Sequence, residues 1–155
     1  MRKLRIAIID LVTKGQTKTL YAKVMHANLA SIMSQIVAVW CEEEGHDVTF
    51  EVYTGFENII EDIPDDFDLV FVSAFTQAAQ LSYSLSNYFR SKGAVTVLGG
   101  PHARCYPEDA QKYFDYVVGY TDKEIICDIL NDCAQYRPYG IYLEAKQQPT
   151  SLPGV

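Results

Sequence analysis

The chain has 155 residues, with 20 acidic and 13 basic side chains and a net charge of −7. This excess of acidic residues argues against nucleic acid or an anionic membrane as a partner, because binding phosphates requires a concentrated basic face. Its hydrophobic fraction is 48%, and no apolar run approaches the roughly 18 residues of a membrane span. We expect a single globular domain and, because no secretory signal precedes the first strand pattern, a cytoplasmic location.

Strand and helix patterns alternate along the chain. The first strand is predicted over residues 4–10, which are apolar on both faces, as in the centre of a parallel sheet. The polar loop over 11–22 is long for a strand-to-helix connection, which makes it a candidate for function. A helix is then predicted over 23–44, a peripheral strand over 47–53 and a short helix or turn over 56–63.

The alternation continues to the end of the last predicted helix. In order, we predict a strand over 67–74, a helix over 77–92, a strand over 94–98, a short helix over 107–114, a strand over 115–119 and a helix over 122–133. Thr121 is the predicted N-cap of that helix, and residues 141–145 could add a short edge strand. We divide the chain into an α/β domain over 1–135 and a C-terminal extension or linker over 136–155.

Five strands separated by helices predict a doubly wound parallel sheet, because right-handed crossovers leave few other arrangements. The commonest strand order for five such units is 2-1-3-4-5, the flavodoxin-like arrangement with helices on both faces. Ligands bind such sheets at the carboxyl ends of the strands, beside the switch point. We therefore expect the loops 11–22, 73–76 and 99–105 to surround one crevice.

The strongest functional signal is the segment VTVLGGPHA at 95–103. Four residues of strand character end in Gly99 and Gly100, and Pro101 and His102 follow. Adjacent glycines at the end of a buried strand permit positive φ or let another molecule approach the backbone closely. The segment therefore predicts a binding site at the tip of the fourth strand.

The sequence gives little support to covalent or metal chemistry. The four cysteines lack the spacing of a zinc site and are interpreted as reduced, packed thiols. His46 lies at the predicted edge of the sheet away from the crevice and is interpreted as structural, whereas the role of His26 stays open. We assign no catalytic residue and no metal ligand.

Domains of this fold also serve two other functions, each of which requires particular residues. A phosphate-accepting receiver domain needs a carboxylate after the third strand and an acidic pair after the first, whereas this chain has Ser73 and only Asp10. An FMN-binding electron carrier has more support, because residues 13–19 offer hydroxyl and amide groups ahead of a helix. That alternative leaves Gly99 and Gly100 unexplained.

Five short motifs follow one another within residues 4–133. They are EGHDV at 44–48, DLVFVS at 68–73, LGGPHA at 98–103, Pro107-Glu108, and FDYVVG at 114–119. Together they resemble the cobalamin-binding domain at the amino terminus of many radical S-adenosylmethionine enzymes. The resemblance implies a flavodoxin-like fold and cobalamin as the cofactor.

The resemblance also implies which residues contact the cofactor. In that family the dimethylbenzimidazole tail of cobalamin enters the sheet crevice, where bare backbone leaves room for it. By this resemblance Gly99 and Gly100 flank the tail, and Ser73 hydrogen-bonds near it. The further implied contacts are Phe75 and Thr76 on the same wall, Pro101 and His102 at the rim, and Gly119 at the end of the fifth motif.

The loop after the first strand differs from that of methionine-synthase-type domains. Those domains carry Asp-x-His-x-x-Gly, and the histidine replaces the base as a cobalt ligand. Here Asp10 and Gly15 match, but Val12 stands at the histidine position, followed by Thr13. Because valine cannot ligate a metal, we predict that no histidine from this loop is bound to cobalt. The resemblance to the radical-enzyme domains implies that cobalamin binds with its base displaced.

The relatives implied by the resemblance hold an iron–sulfur cluster on Cys-x-x-x-Cys-x-x-Cys in a following barrel domain, a motif that this sequence lacks. We expect the cluster and S-adenosylmethionine only in a partner domain, of the same chain or another, that faces the corrin. Whether the parent protein is an enzyme stays open at this point. The alternatives are a cofactor-free interaction or scaffold domain of the same fold and an FMN-binding electron carrier.

Overall fold

The computed structural model describes residues 2–11, 31–53, 58–133 and 139–146. Its strands are β1 (Arg5–Leu11), β2 (Asp47–Tyr53), β3 (Leu69–Ala74), β4 (Val95–Gly99), β5 (Tyr116–Val118) and β6 (Ile141–Leu143). They form one sheet in the order β2-β1-β3-β4-β5-β6, in which every neighbouring pair is parallel. The predicted doubly wound class and the order of the first five strands are confirmed.

Within the described ranges the sheet has six strands, whereas five were predicted. The sixth comes from residues 141–143, within the segment expected to supply an edge strand, and it pairs with β5 in parallel. Backbone hydrogen bonds extend this pairing, since Gly119 N–H donates to the carbonyl of Leu143 at 2.9 Å. The division of the chain between residues 135 and 136 stays a prediction.

The helices are α1 (Ile32–Glu43), α2 (Ile59–Asp62), α3 (Ala79–Ser91), α4 (Pro101–Cys105), α5 (Pro107–Ala110) and α6 (Lys123–Cys133), with a 3₁₀ turn at Thr76–Ala78. The alternation with the strands is as predicted, although residues 12–30, which include the polar loop and the predicted start of the first helix, lie outside the described residues. Among the described residues, no helix is long and apolar enough to cross a bilayer.

Two local predictions need correction. The segment after Gly100 is helical, because Pro101 occupies the first position of α4, where its fixed φ suits a helix. At the start of α6, Asp122 rather than Thr121 is the capping side chain. Its carboxylate accepts a hydrogen bond from the Ile125 N–H at 2.9 Å, and a carboxylate also interacts favourably with the helix dipole.

The two faces of the sheet carry separate hydrophobic cores, because alternate strand residues point to opposite sides. Helices α2, α3, α4 and α5 contribute to one core, together with strand residues such as Val72 and Leu98. Helices α1 and α6 contribute to the other, together with Ile8, Phe71 and Val97. The second face also holds the candidate site.

Candidate functional site

A cavity of about 510 Å³ opens at the carboxyl ends of the strands, on the sheet face covered by α1 and α6. This volume lies within the range of about 300–1,000 Å³ typical of small-molecule sites. Its apolar floor consists of Ile8, Phe71, Val97 and Val118 from four strands, Val37 of α1 and Ile126 of α6. Residues from the loops after β3 and β4 line the same cavity, so these two loops meet there as predicted.

Strand register aligns three of the predicted site residues at the edge of the cavity. Asp10 of β1 lies opposite Ser73 of β3, and Ser73 lies opposite Gly99 of β4. Each residue comes two positions after a floor residue of its own strand and therefore points to the same face of the sheet. The result is a row that runs carboxylate, hydroxyl and bare backbone across the sheet.

The two glycines have different structural roles. A Cβ built on Gly99 would meet no atom within 4 Å, so the absence of a side chain there leaves open space at the cavity. Gly100 has φ of +87°, and a Cβ there would lie 2.9 Å from Ser73 Oγ and 3.1 Å from the backbone of Ala74. Gly100 is therefore required by backbone conformation and close packing.

Asp10 is the buried acidic group of the site, with only 3% of its surface exposed. Its carboxylate accepts hydrogen bonds from the backbone N–H of Ser31 and from the side chains of Ser34 and Ser73. Burial raises the pKa of Asp10 above its ordinary value, and these hydrogen bonds offset only part of the effect. Asp10 and its serines thus form a polar end to an otherwise apolar cavity.

Exposed side chains surround the mouth of the cavity. Met33, Phe75 and Tyr120 all line it while remaining between 42% and 55% exposed. Arg104 of α4 also lines the mouth, and its guanidinium carbon lies 5.1 Å from the centroid of the Tyr120 ring. This rim therefore combines apolar surface with a positive charge.

His102 is buried and Thr76 is exposed, and neither is among the lining residues of this cavity in the described part of the chain. Nδ1 of His102 lies 3.3 Å from the Thr76 hydroxyl, and Nε2 lies 2.6 Å from the hydroxyl of Tyr83 in α3. His46 is farther still, at the amino end of β2, where its Nδ1 accepts a hydrogen bond from the Leu4 N–H at 3.1 Å. That contact fits its interpretation as structural.

The structure brings most of the predicted residues to one cavity. Those that line it are Asp10, Ser73, Phe75, Gly99, Gly100, Pro101 and Gly119. Val12, Thr13, Gly15 and His26 lie outside the described residues. Among the described residues there is no group of three or more His, Cys, Asp or Glu side chains that could hold a metal ion.

Sequence reasoning missed several lining residues, notably Ser34, Arg104 and Tyr120. The floor residues of the strands and Gly99 occupy alternate strand positions that point to one face of the sheet. That alternation can be recognised in the sequence. The other three residues come from helices and loops whose packing against the sheet no local pattern specifies.

A family model described as the B12 binding domain matches residues 19–129. The chain belongs to the B12-binding domain family. This match confirms the resemblance to a cobalamin-binding domain, and it covers all the motifs that carry it. The placement of the cavity at the strand tips is consistent with a ligand site in this B12-binding domain.

One relative of the B12-binding domain is bacteriochlorophyllide d C-8(2)-methyltransferase of Chlorobaculum tepidum, with 32% identity over 72 residues. The match covers 46% of this chain and 16% of the relative. The domain therefore corresponds to a small part of that protein's length, and the remainder of the relative has no counterpart in the match.

Proposed function

We propose that this B12-binding domain holds cobalamin with the dimethylbenzimidazole tail inserted in the cavity and displaced from cobalt. The observation that carries this proposal is the open space at Gly99, where a side chain would project into a cavity with an apolar floor. A flat, apolar heterocycle gains from burial between the sheet and the helices α1 and α6, since such burial removes its faces from water.

Specific residues of the chain are suited to hold that tail. Gly99 leaves the backbone bare, and Gly100 keeps the turn tight enough to begin α4 beside it. Ser73 and Asp10 supply hydrogen-bonding groups at the polar end of the cavity. Phe75 and Gly119 line the same space. Each of these contacts concerns binding and orientation, and none requires a reaction on the protein.

The proposed displacement of the base from cobalt depends on the insertion of the tail in the cavity, and the loop after β1 supports the absence of a histidine ligand. Residues 11–22 include no histidine, and Val12 occupies the position at which a methionine-synthase-type domain carries its cobalt ligand. A hydrocarbon side chain has no lone pair to donate to a metal. We therefore assign Asp10, Val12, Thr13 and Gly15 to contacts with the cofactor that do not include metal coordination.

We further propose that the domain presents the corrin to a radical S-adenosylmethionine domain, which would carry the iron–sulfur cluster and S-adenosylmethionine. When bound, cobalamin supplies methyl-carrier or redox chemistry to such a partner. The relative that is a methyltransferase and is much longer than this chain supports a larger assembly. The exposed apolar side chains of Met33, Phe75 and Tyr120 provide a surface on which a flat macrocycle can lie.

Cofactor retention is the first test. The purified chain is mixed with hydroxocobalamin and, separately, with FMN, and each sample is desalted before its visible spectrum is recorded. We expect cobalamin to be retained with the spectrum of the base-off form, and FMN to be lost. Retention of FMN alone would support the electron carrier, and retention of neither would support a cofactor-free interaction domain.

Electron paramagnetic resonance then tests whether a nitrogen atom is an axial ligand of cobalt. After reduction to Co(II), an axial nitrogen from either the base or a histidine splits each cobalt line into three, because the nuclear spin of ¹⁴N is one. We expect no such splitting in the complex. A triplet pattern would show that a nitrogen ligand is present and would contradict the proposed binding mode.

A further inference from the structure

The mouth of the cavity holds a positive charge to which the proposed function gives no role. Arg104 is the only basic side chain among the described residues that line the cavity. Within the described ranges it forms no ion pair, in contrast to Arg2, Arg5 and Arg90. In a chain with a net charge of −7, an unpaired arginine at a ligand site marks a place where an anionic group can bind.

We propose that Arg104 binds the phosphodiester of the corrinoid nucleotide loop and so selects corrinoids that carry a complete loop. This inference rests on the proposed function. In cobalamin the phosphodiester joins the ribose of the tail to the linker that leads to the corrin ring. A tail inside the cavity and a corrin on the rim therefore leave the phosphate at the mouth, where Arg104 lies.

The helix α4 explains why Arg104 faces the mouth. It begins directly after Gly100, and Pro101 and Arg104 are three residues apart, which places them on one side of a helical turn. Both line the cavity, whereas the intervening His102 and Ala103 are buried. The double glycine thus sets both the opening at the strand tip and the position of the cation beside it.

The geometry of Arg104 suits a phosphate. Its guanidinium lies over the face of Tyr120, an arrangement that orients the planar group and leaves its edge donors free. A guanidinium edge donates two parallel hydrogen bonds to a phosphate, which an ammonium group cannot reproduce. Tyr120 is therefore a positioning residue for Arg104 in this proposal.

The size of the effect is limited by solvent. Arg104 is exposed in the structure, and an exposed ion pair is screened by water and salt. A bound corrinoid would shield the pair only in part, so we expect about a tenfold contribution to affinity, equivalent to about 1.4 kcal/mol.

The test compares two corrinoids on the full chain of 155 residues. Equilibrium dialysis measures the dissociation constants of hydroxocobalamin and of aquacobinamide, which lacks the nucleotide loop. The variants are Arg104→Gln and Arg104→Lys. The control is Lys3→Gln, which removes an exposed cation at the amino end of β1, paired with Asp47. Circular dichroism checks that each variant is folded.

We expect Arg104→Gln to weaken hydroxocobalamin binding about tenfold and to leave aquacobinamide binding unchanged. The affinity of Arg104→Lys for hydroxocobalamin should lie between those of Arg104→Gln and the wild type. The control Lys3→Gln should change neither dissociation constant. Added salt should weaken hydroxocobalamin binding to the wild type more than to Arg104→Gln. Equal effects of Arg104→Gln on both corrinoids, or no effect on either, would overturn the role of Arg104 while the proposed function stands. Failure of the wild type to bind hydroxocobalamin would overturn the proposed function and this inference with it.

Discussion

The hydroxyl of Tyr83 lies 2.6 Å from Nε2 of His102 and donates to Oδ2 of Asp109 at 2.8 Å. Because a phenol has one proton to donate, Nε2 of His102 carries the ring proton and the Thr76 hydroxyl donates to Nδ1. This neutral imidazole connects α4 to α3 directly after the double glycine. The turn that borders the cavity is thus held from the opposite face of the sheet.

Removing the Tyr83 hydroxyl should destabilise the domain. In Tyr83→Phe the buried Nε2–H of His102 loses its acceptor, and an unsatisfied buried donor costs about 1–3 kcal/mol. We expect the free energy of unfolding, measured by urea denaturation at neutral pH, to fall by that amount. The control Tyr113→Phe keeps the ring that stacks on Tyr83 at a centroid distance of 4.1 Å and should have a smaller effect. An equal loss in both variants would contradict the role of the Tyr83 hydroxyl.

His102 should make stability depend on pH. Burial lowers the pKa of His102 below its ordinary value of 6.5, and the charge of Asp109 counteracts this only in part. The unfolded chain therefore binds a proton at a higher pH than the folded one, so the free energy of unfolding falls as the pH drops below about 6.5.

The variant His102→Gln isolates this contribution. Burial also lowers the pKa of His46, so part of the pH dependence will remain. We expect the free energy of unfolding to decline less in His102→Gln than in the wild type between about pH 7 and about pH 5. Identical declines, measured by urea denaturation across that range, would show that His102 does not contribute.

The two glycines should respond differently to the same change. Gly99→Ala adds a Cβ that meets nothing within 4 Å, so its free energy of unfolding should stay within about 0.5 kcal/mol of the wild type. Gly100→Ala forces an alanine into φ of +87° against Ser73 and Ala74 and should cost about 2 kcal/mol.

A larger side chain at position 99 should also affect the affinity for hydroxocobalamin. Gly99→Val fills the space at the cavity and should lower the affinity by about tenfold or more, while the far-ultraviolet circular dichroism stays close to that of the wild type. Unchanged affinity in a folded Gly99→Val variant would remove the main support for the tail site.

Asp10 should lower stability when it is charged. Burial raises the pKa of Asp10 above its ordinary value of 3.8, so the folded state binds a proton more readily than the unfolded state. The wild type therefore loses stability as the pH rises through the raised pKa. We expect Asp10→Asn to be more stable than the wild type at neutral pH, with the difference shrinking toward about pH 4. The measurement is urea denaturation at several pH values, and a constant difference would contradict the raised pKa.

Much of the fold could be predicted because strand patterns are local. The residues of β1, β3 and β4 are apolar on both faces, which marks a parallel sheet covered by helices on both sides. The helix α4 was missed, because a five-residue helix after two glycines carries too little periodicity to be distinguished from a loop. The cap of α6 was missed because Thr121 and Asp122 are both good capping residues, and the choice depends on where the helix begins.

The site residues at the strand ends could be predicted from the sequence, whereas the positions of side chains that depend on helix packing could not. Ser73, Gly99 and Asp10 could be placed together because parallel strands end at one edge of the sheet. His102 follows the same glycines, yet its ring packs under α3 against Tyr83 rather than at the rim. Which way a side chain turns from a short helix is decided by the partners that fill the space on each side.

By itself, the sequence determined the class of the sheet, the order of its first five strands and the family to which the domain belongs. Hydrophobic periodicity and a series of motifs along the chain suffice for these, because each is a property of neighbouring residues. Only the tertiary structure decided that Gly99 borders empty space while Gly100 is confined by Ser73 and Ala74, and that Arg104 lies at the mouth of the same cavity. These relationships join residues distant in sequence, and their distances follow from how the helices pack on the sheet.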